Sequence, residues 1–540
     1  MDITCKFTSS VEEYEGTKLI GFCQWRQCVD ESNLPIEAFS KATTRPEVKD
    51  VARSVTGFFS VLTPIDDGWC IAADYINSYP IYYVSTTGPI HLTDSQEHAI
   101  QELSNTEFDT VSTAEYRTAS YVTGPQTLLK GVSQSQAGEI IHLSPSGIDK
   151  ERYFNFEYGN QHDRTFEHVH RNWEICISRL IEYANGRPIW VPLSAGFDSR
   201  YIVTALAEMG YPNLNSFSWS SRPQQDEHLT AERVARSLGV EHHHWEPSHE
   251  DWRRIYRSSG REELDNQLWL SSVPVLREWG AVRELANQGT VPENSVIVPG
   301  HSGDMIAGSH LSDVALSPPV SEREVIDEIL RIHYRYNAID QTQEEHIRER
   351  IRDVIQFGGG PLTQALEAVE RFDWRERQAK WITAATKTHG QTGLDWWLPF
   401  WDAECVDFWL DTSFKQRSGR RFQRKAVQDK YRSVADNPVG HFAATSLTGR
   451  IKNIGRESRI EPLLRKMYNY ATSILESPKQ SVQTPEEIYE NLEYRFGMIP
   501  RDTFLQAYNG DADHRAYRAR LLLGDIDVGD ITHPIDRVDQ

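Results

Sequence analysis

The sequence predicts an α/β protein: an antiparallel β-sandwich in the N-terminal third, followed by a parallel sheet covered by helices. Three observations predict this. Residues 165–245 alternate helical and extended apolar periods, and parallel strands need such helical crossovers. Residues 57–62, 69–74, 79–84 and 127–143 are short alternating runs separated by turn residues, the pattern of antiparallel strands with one face buried. A chain of 540 residues also has the length to build two domains with separate cores.

In chain order, the first domain is expected over residues 1–156, and the polar segment 157–164 (EYGNQHDR) reads as a linker. A helix from Thr165 leads to the strand that ends in VPLSAGFDSR, residues 191–200. There an apolar strand end runs into a Ser/Gly turn that opens a helix at Asp198. Such a turn presents backbone N–H groups, with the hydroxyls of Ser194 and Ser199, to an anion at a helix N-terminus. The charge of Asp198 opposes a bare phosphate unless a divalent cation lies between them; its other reading is a helix cap. Ile202, Val203 and Leu206 continue the helix until Gly210 and Pro212 stop it. A strand over 214–219, a helix over 225–238 closed by Gly239, and a strand over 240–245 complete a β-α-β-α-β run. Sheets of this kind bind ligands at the carboxyl ends of their strands, where the turn lies. The chain has no GxxxxGK[ST] and the turn has no lysine, which disfavours γ-phosphoryl transfer; a pyrophosphate grip suits chemistry at the α-phosphorus. Further on, residues 322–352 read as charged helix with a solvated face, and helices after 457 are interrupted by SPKQSVQTP before a polar tail at 526–540.

The turn resembles the SGGxDS loop of the pyrophosphate-loop ATPases, with Ala195 in place of the second glycine; alanine fits there if that position is not left-handed. Residues 295–309, SVIVPGHSGDMIAGS, resemble the strand and GxGxDExxGG turn of the asparagine-synthetase-like branch, residues 399–410 (PFWDAECVDFWL) its PFLD segment, and residues 420–426 (RRFQRKA) its basic K-x-L-R-x-A helix. The N-terminal strands are similar to the class II glutamine-amidotransferase domain of asparagine synthetases. Residues 371–380 (RFDWRERQAK) and Arg200 resemble divergent, polysaccharide-cluster members of the branch. The resemblance implies an Ntn-type αββα sandwich followed, over 165–525, by a pyrophosphate-loop synthetase domain.

It also implies ATP and Mg²⁺ as cofactors and an ATP-dependent ligase that activates a carboxylate as an acyl-adenylate. Pyrophosphate leaves, and ammonia or a substrate amine completes an amide. Asp198 and Asp304 are the implied metal ligands. Ser194, Ala195, Gly196 and Ser199 form the implied pyrophosphate loop, with backbone near Leu193 and Ser218 lining the adenine pocket. His301 stands three residues before Asp304, where asparagine synthetases carry a glutamate and β-lactam synthetases a tyrosine that helps deprotonate the amine. Its unperturbed pKa suits a base; its other reading is a positioned loop histidine. Lys452 is the candidate for the branch's catalytic lysine, or an exposed loop lysine. Arg421 and Arg424 contact phosphates or lie on a solvated helix face.

One departure bears on the nitrogen source. Class II amidotransferases use an N-terminal Cys whose own amine is the base, whereas this sequence begins Met1-Asp2 and Cys5 lies inside it. The expectation is a degenerate domain without glutaminase activity, as in β-lactam synthetases and lasso-peptide cyclases. An intramolecular amide cyclase is therefore an alternative, and a catalytically degenerate scaffold, suggested by Ala195 and by Met305 in place of the family's acid, is another.

Other features carry less. His242, His243 and His244 are adjacent in a strand and point alternately to opposite faces, which disfavours one zinc ion. Trp396, Trp397, Trp401 and Trp409 read mainly as core, with one or two rings available to stack on a substrate. The net charge of −21 argues against a nucleic-acid partner. No lysine occurs between Lys150 and Lys380, and with a pI of ≈ 5.4 this acidic, lysine-poor composition is compatible with a salt-adapted cytoplasm. The 6 cysteines are scattered, without a C-x-x-C pair. No apolar run suffices to cross a bilayer and no signal peptide is evident, so a cytoplasmic enzyme is expected. Its expected partners are a small-molecule or glycan-linked carboxylate, ammonia or an amine donor, and a second copy in a homodimer.

Overall fold

The computed structural model describes residues 3–26, 34–85, 89–220, 227–255, 269–274, 278–337, 339–389 and 393–439. Lys452, the helices expected after 457 and the tail at 526–540 lie outside the described residues.

Among the described residues the N-terminal region contains ten strands: β1 (Ile3–Lys6), β2 (Val11–Tyr14), β3 (Thr17–Trp25), β4 (Val55–Ile65), β5 (Gly68–Ala73), β6 (Tyr82–Ser85), β7 (Ile90–Thr93), β8 (Val132–Gln134), β9 (Glu139–Ser144) and β10 (Gly147–Arg152). They form a six-stranded antiparallel sheet, ordered β10-β9-β5-β4-β3-β2, and a four-stranded sheet ordered β1-β7-β6-β8. Period-2 alternation sends Ile20, Leu62, Ile71 and Ile141 of the first sheet, with Tyr83, Ile90 and Leu92 of the second, into one cluster between the sheets. On the outer face of the larger sheet, Ile36, Phe39, Val48 and Ala52 from the helices Pro35–Lys41 and Arg45–Ser54 pack on Phe59, Val61 and Ala72. Ala99, Ile100 and Tyr116 from the helices Gln96–Gln101 and Thr110–Ala119 cover Tyr82 and Val84 of the smaller sheet. The layers therefore run helix, sheet, sheet, helix.

Tyr153 and Phe156 end this region inside the core, and the segment expected as a linker is packed rather than free. Tyr158 donates to Glu370 at 2.7 Å, and the Gly159 N–H donates to the Leu410 carbonyl at 3.1 Å. The helix Phe166–Ala184 follows, its first turn capped by Thr165.

Five strands build the second sheet: β11 (Ile189–Pro192), β12 (Leu214–Trp219), β13 (Glu241–Trp245), β14 (Val296–Ile297) and β15 (Asp395–Trp396). All their pairings are parallel, in the order β13-β12-β11-β14-β15. The chain winds outward from β11 to β13, then restarts on the other side at β14. A crevice opens where such a sheet reverses direction, at the carboxyl ends of β11 and β14.

The charged stretch at 322–352 is two helices, Glu322–His333 and Gln341–Ile355, rather than one solvated face. Val325, Ile329, Ile347, Ile351 and Val354 bury a second core against Val369 and Phe372. Trp396, Trp397, Trp401 and Trp409 are all buried; Trp397 packs edge-on against Phe58 of β4 at 4.9 Å, so the tryptophans join the two regions. Among the described residues no helix is long and apolar enough to cross a membrane.

Candidate functional site

The turn after β11 is held by its own hydroxyls. Ser199 Oγ accepts from the Ser194 N–H at 3.2 Å, and Ser194 Oγ accepts from the Gly196 N–H at 3.1 Å. Arg200, buried in the first turn of the helix Asp198–Glu208, donates to the Ala195 carbonyl at 3.2 Å and lies near the rings of Phe197 and Tyr431. Ala195 is buried and is not left-handed, which is the condition that lets alanine stand here.

Asp198 opens this helix and faces the turn after β14. Arg420 Nη2 reaches both of its carboxylate oxygens, at 2.8 and 2.9 Å, and Gln423 Nε2 donates to Oδ1 at 2.9 Å. Arg420 Nη1 also lies 3.7 Å from Asp304 Oδ2, so one guanidinium links the two aspartates. It does so from a left-handed backbone, φ 60, at the start of the helix Arg421–Val434; strain of this kind in a large side chain clusters at functional sites. Burial raises the Asp198 carboxyl, with Arg420 opposing and Asp304 reinforcing the rise. At Asp304, 42% exposed, the penalty of burial is outweighed by Arg420, His310 and Arg377, which hold its carboxyl low.

Two glycines bring the turns together. A Cβ on Gly300 would sit 2.7 Å from the Ser199 nitrogen, and one on Gly303 would sit 2.9 Å from Asp198 Oδ1. Between them Ser302 is left-handed, φ 63, and donates to Gln378 Oε1 at 2.8 Å.

His301 is nearly buried, with Nε2 3.6 Å from Glu278 Oε1. His389 lies 3.5 Å from the same oxygen. Burial opposes ionisation of Glu278, yet the two imidazoles hold its carboxyl well below the usual range. His301 and His389 thus flank one buried carboxylate.

The other residues named from the sequence are placed as follows. Leu193 is buried and extends β11 by donating to the Phe217 carbonyl at 2.7 Å. Ser218 spends its hydroxyl within the sheet, bonded to His242 Nε2 at 3.0 Å and His244 Nδ1 at 2.9 Å. His242 and His244 thus share a face with serines, while His243 lies by Glu241 and over Trp190. Arg424 stacks over Phe197 at 5.8 Å, beside the loop rather than between the aspartates. Sequence reasoning missed Arg420 as the bridging cation, and Gln423, Glu278 and Gln378 altogether. The segment RRFQRKA, which contains both, is the available signal for Arg420 and Gln423, and RFDWRERQAK is that for Gln378; Glu278 sits in a segment without a recognisable motif.

Among the described residues no three His, Cys, Asp or Glu side chains form a cation cage. Two carboxylates suit a magnesium ion that completes its shell with ligand phosphates and waters, its usual mode of binding.

Comparison with known proteins points to the same region. The asparagine synthase family model matches residues 183–262, which carry the turn after β11. Asparagine synthetase [glutamine-hydrolyzing] 1 of Bacillus subtilis (strain 168) is 24% identical over 207 residues, 37% of this chain and 32% of that protein. The chain thus matches about a third of the length of this curated relative. A solved structure of glutamine phosphoribosylpyrophosphate amidotransferase from B. subtilis, complexed with ADP and GMP, aligns over 54% of this chain and 63% of that one, at 8% identity and a TM-score of 0.18, too low a likeness to argue from. In the segment that carries the turn after β11, the chain is asparagine-synthetase-like.

Proposed function

We propose that the protein is an ATP-dependent amide-forming ligase that activates a carboxylate as an acyl-adenylate, without glutaminase activity of its own. The observation that carries this reading is the meeting of Asp198 and Asp304, from the ends of adjacent parallel strands, around Arg420.

A carboxylate oxygen bonds to the α-phosphorus of ATP while the bond to the β-phosphate oxygen breaks, and the leaving pyrophosphate must be neutralised. Magnesium, held by Asp198 and Asp304, would supply part of that charge. The chain supplies the rest. Ser194 and Ser199 exchange their internal bonds for phosphate oxygens, the Gly196 N–H turns from Ser194 to the ligand, and Arg420 adds a cation at the same place. An amine then attacks the acyl carbon, AMP departs with the carboxylate oxygen, and His301 takes the amine proton with Glu278 stabilising the imidazolium. Cys5 is exposed within β1, paired in register with Leu92, so its nitrogen is a strand amide rather than a free amine that could serve as base, which supports free ammonia or a substrate amine as the nitrogen source.

The test is pyrophosphate release from ATP with Mg²⁺ across a panel of carboxylates, with Asp198→Ala as control. Release stimulated by at least one carboxylate and lost in the variant is expected. Failure of every carboxylate to exceed the control would favour the scaffold reading, which draws on the buried, non-ligating Met305.

A further inference from the structure

The consecutive histidines at 242–244 have no part in the chemistry above, yet two of them are tied into one row of hydrogen bonds with the serines of β12. Ser216 Oγ lies 2.9 Å from His242 Nδ1, and His242 Nε2 lies 3.0 Å from Ser218 Oγ. Ser218 Oγ lies 2.9 Å from His244 Nδ1, and His244 Nε2 lies 3.2 Å from Ser220 Oγ. The row follows from the parallel register, which sets Ser216 beside His242 and Ser218 beside His244 on one face of the sheet.

One end of the row fixes the direction of every bond in it. Ser216 Oγ also donates to the Glu241 carbonyl at 3.1 Å, and a carbonyl only accepts. A hydroxyl has a single proton, so Ser216 accepts from His242 Nδ1–H. His242 Nε2 then accepts from the Ser218 hydroxyl, Ser218 accepts from His244 Nδ1–H, and His244 Nε2 accepts from Ser220. Both imidazoles are therefore neutral Nδ1–H tautomers. A further proton has no place in the row: on either Nε2 it would meet a serine proton already directed there, and turning that hydroxyl away breaks the chain.

The helix Glu227–Ser237 packs on β12 and β13 through the buried Ala231, Val234 and Ala235. In its first turn the His228 ring stacks on that of His244, with centroids 4.2 Å apart and planes inclined by 17°. Among the described residues, the ionisable groups around these imidazoles are Glu232 of the same helix, His243 of β13, which pairs with Glu241, and Glu246 just beyond β13. Burial, then His228, lowers the His244 imidazole against the pull of Glu246 and Glu232, and burial, then the neighbouring histidines, lowers that of His242. Neutral rings stack, whereas two charged rings at this separation repel. Because the helix follows β12, it begins at the carboxyl end of the sheet, where the turn after β11 lies, and this contact sits at the rim of the crevice.

We propose that His228, His242 and His244 form an acid-sensitive latch: neutral, they hold the first turn of the helix Glu227–Ser237 on β13, and protonated, they release it. The released state binds more protons than the closed one, so the latch is shut above pH ~6.5 and loosens as pH falls from there.

The experiment is amide hydrogen exchange on the full chain at pH 7.5 and 4.5, corrected for the intrinsic exchange rate. The internal reference is β11, the central strand of the same sheet, which carries no ionisable side chain. Protection over 228–237 is expected to fall at least ~tenfold more than over 189–192, and to return when the pH is restored. His228→Phe keeps a ring for the stack without a nitrogen to protonate, and should cut that extra loss to about threefold or less. Equal loss in the helix and in β11 is global unfolding and overturns the latch, as does protection of the helix that does not change with pH. An extra loss that His228→Phe leaves unchanged overturns it as well. Should that variant not fold, the wild-type comparison between helix and strand decides by itself.

Discussion

The turns after β11 and β14 end neighbouring strands and each carries one aspartate, yet they are built in opposite ways. The first is local: Ser194, Gly196 and Ser199 satisfy one another within five residues, and Arg200 fixes the loop from beneath. The second depends on distant parts of the chain. Ser302 is held in a left-handed conformation beside Gln378, 76 residues on, and His301 faces Glu278 from another segment. A backbone cradle for an anion can be specified by a short motif, whereas side chains that must act on a reaction are placed by tertiary packing.

Arg420 joins the two turns, and its removal is expected to have the largest effect. Arg420→Met leaves Asp198, whose side chain is 17% exposed, without its cation, and breaking such a pair costs about 3–5 kcal/mol when fully buried. The low end of that range is expected, read as a drop in melting temperature, with a smaller loss if Mg²⁺ and ATP are present. An unchanged melt would show that the turns are held apart from this contact.

The same substitution in each turn sharpens the contrast. In Gly303→Ala the new methyl would meet Phe400 at 2.8 Å and Asp198 Oδ1 at 2.9 Å, so overpacking of about 1–3 kcal/mol is expected. In Gly196→Ala it would meet Ser194 Oγ at 3.0 Å, a hydroxyl that can rotate away, and the stability cost should be clearly smaller. Equal melting temperatures for the two variants would remove the distinction between a packed and a self-contained turn.

The sheet under the first turn carries a pH dependence. Burial, then His244 and the other nearby histidines, lowers His242 to about 4. A histidine held neutral in the fold but free to protonate when unfolded makes the unfolded state bind more protons below pH ~6.5, so stability falls as pH drops from there toward 4. His242→Asn should flatten denaturation midpoints across that window, by about 1–2 kcal/mol once solvent screening is allowed for. A wild-type stability that is flat between pH 6.5 and 4 would count against the buried neutral form. The smallest effect is expected for Ala195→Gly: because Ala195 is not left-handed, glycine relieves no strain and costs about 0.5–1 kcal/mol in chain entropy.

How much of this was legible follows the same division. The parallel strands, the helix from Asp198 and the position of the loop could be read from periodicity and punctuation, because they depend on residues close in sequence. Asp304 was legible through its resemblance alone. The Arg420–Asp198 pair joins residues 222 positions apart, and the site at Glu278 comes from a segment with no motif. The charged stretch at 322–352 reads as a solvated face because its apolar residues are outnumbered by charges; only tertiary packing shows that Ile347 and Ile351 close a second core.

In the proposed function these two turns form a single site for magnesium and a nucleotide. Calorimetric titration with ATP, with and without Mg²⁺, tests it most directly in the wild type and in Asp304→Asn, whose altered carboxylate is partly exposed and so least able to disturb the fold. Saturable binding that requires Mg²⁺ and is weakened at least tenfold in the variant is expected. Binding indifferent to Mg²⁺ and unchanged in Asp304→Asn, or no binding to either protein, would contradict it.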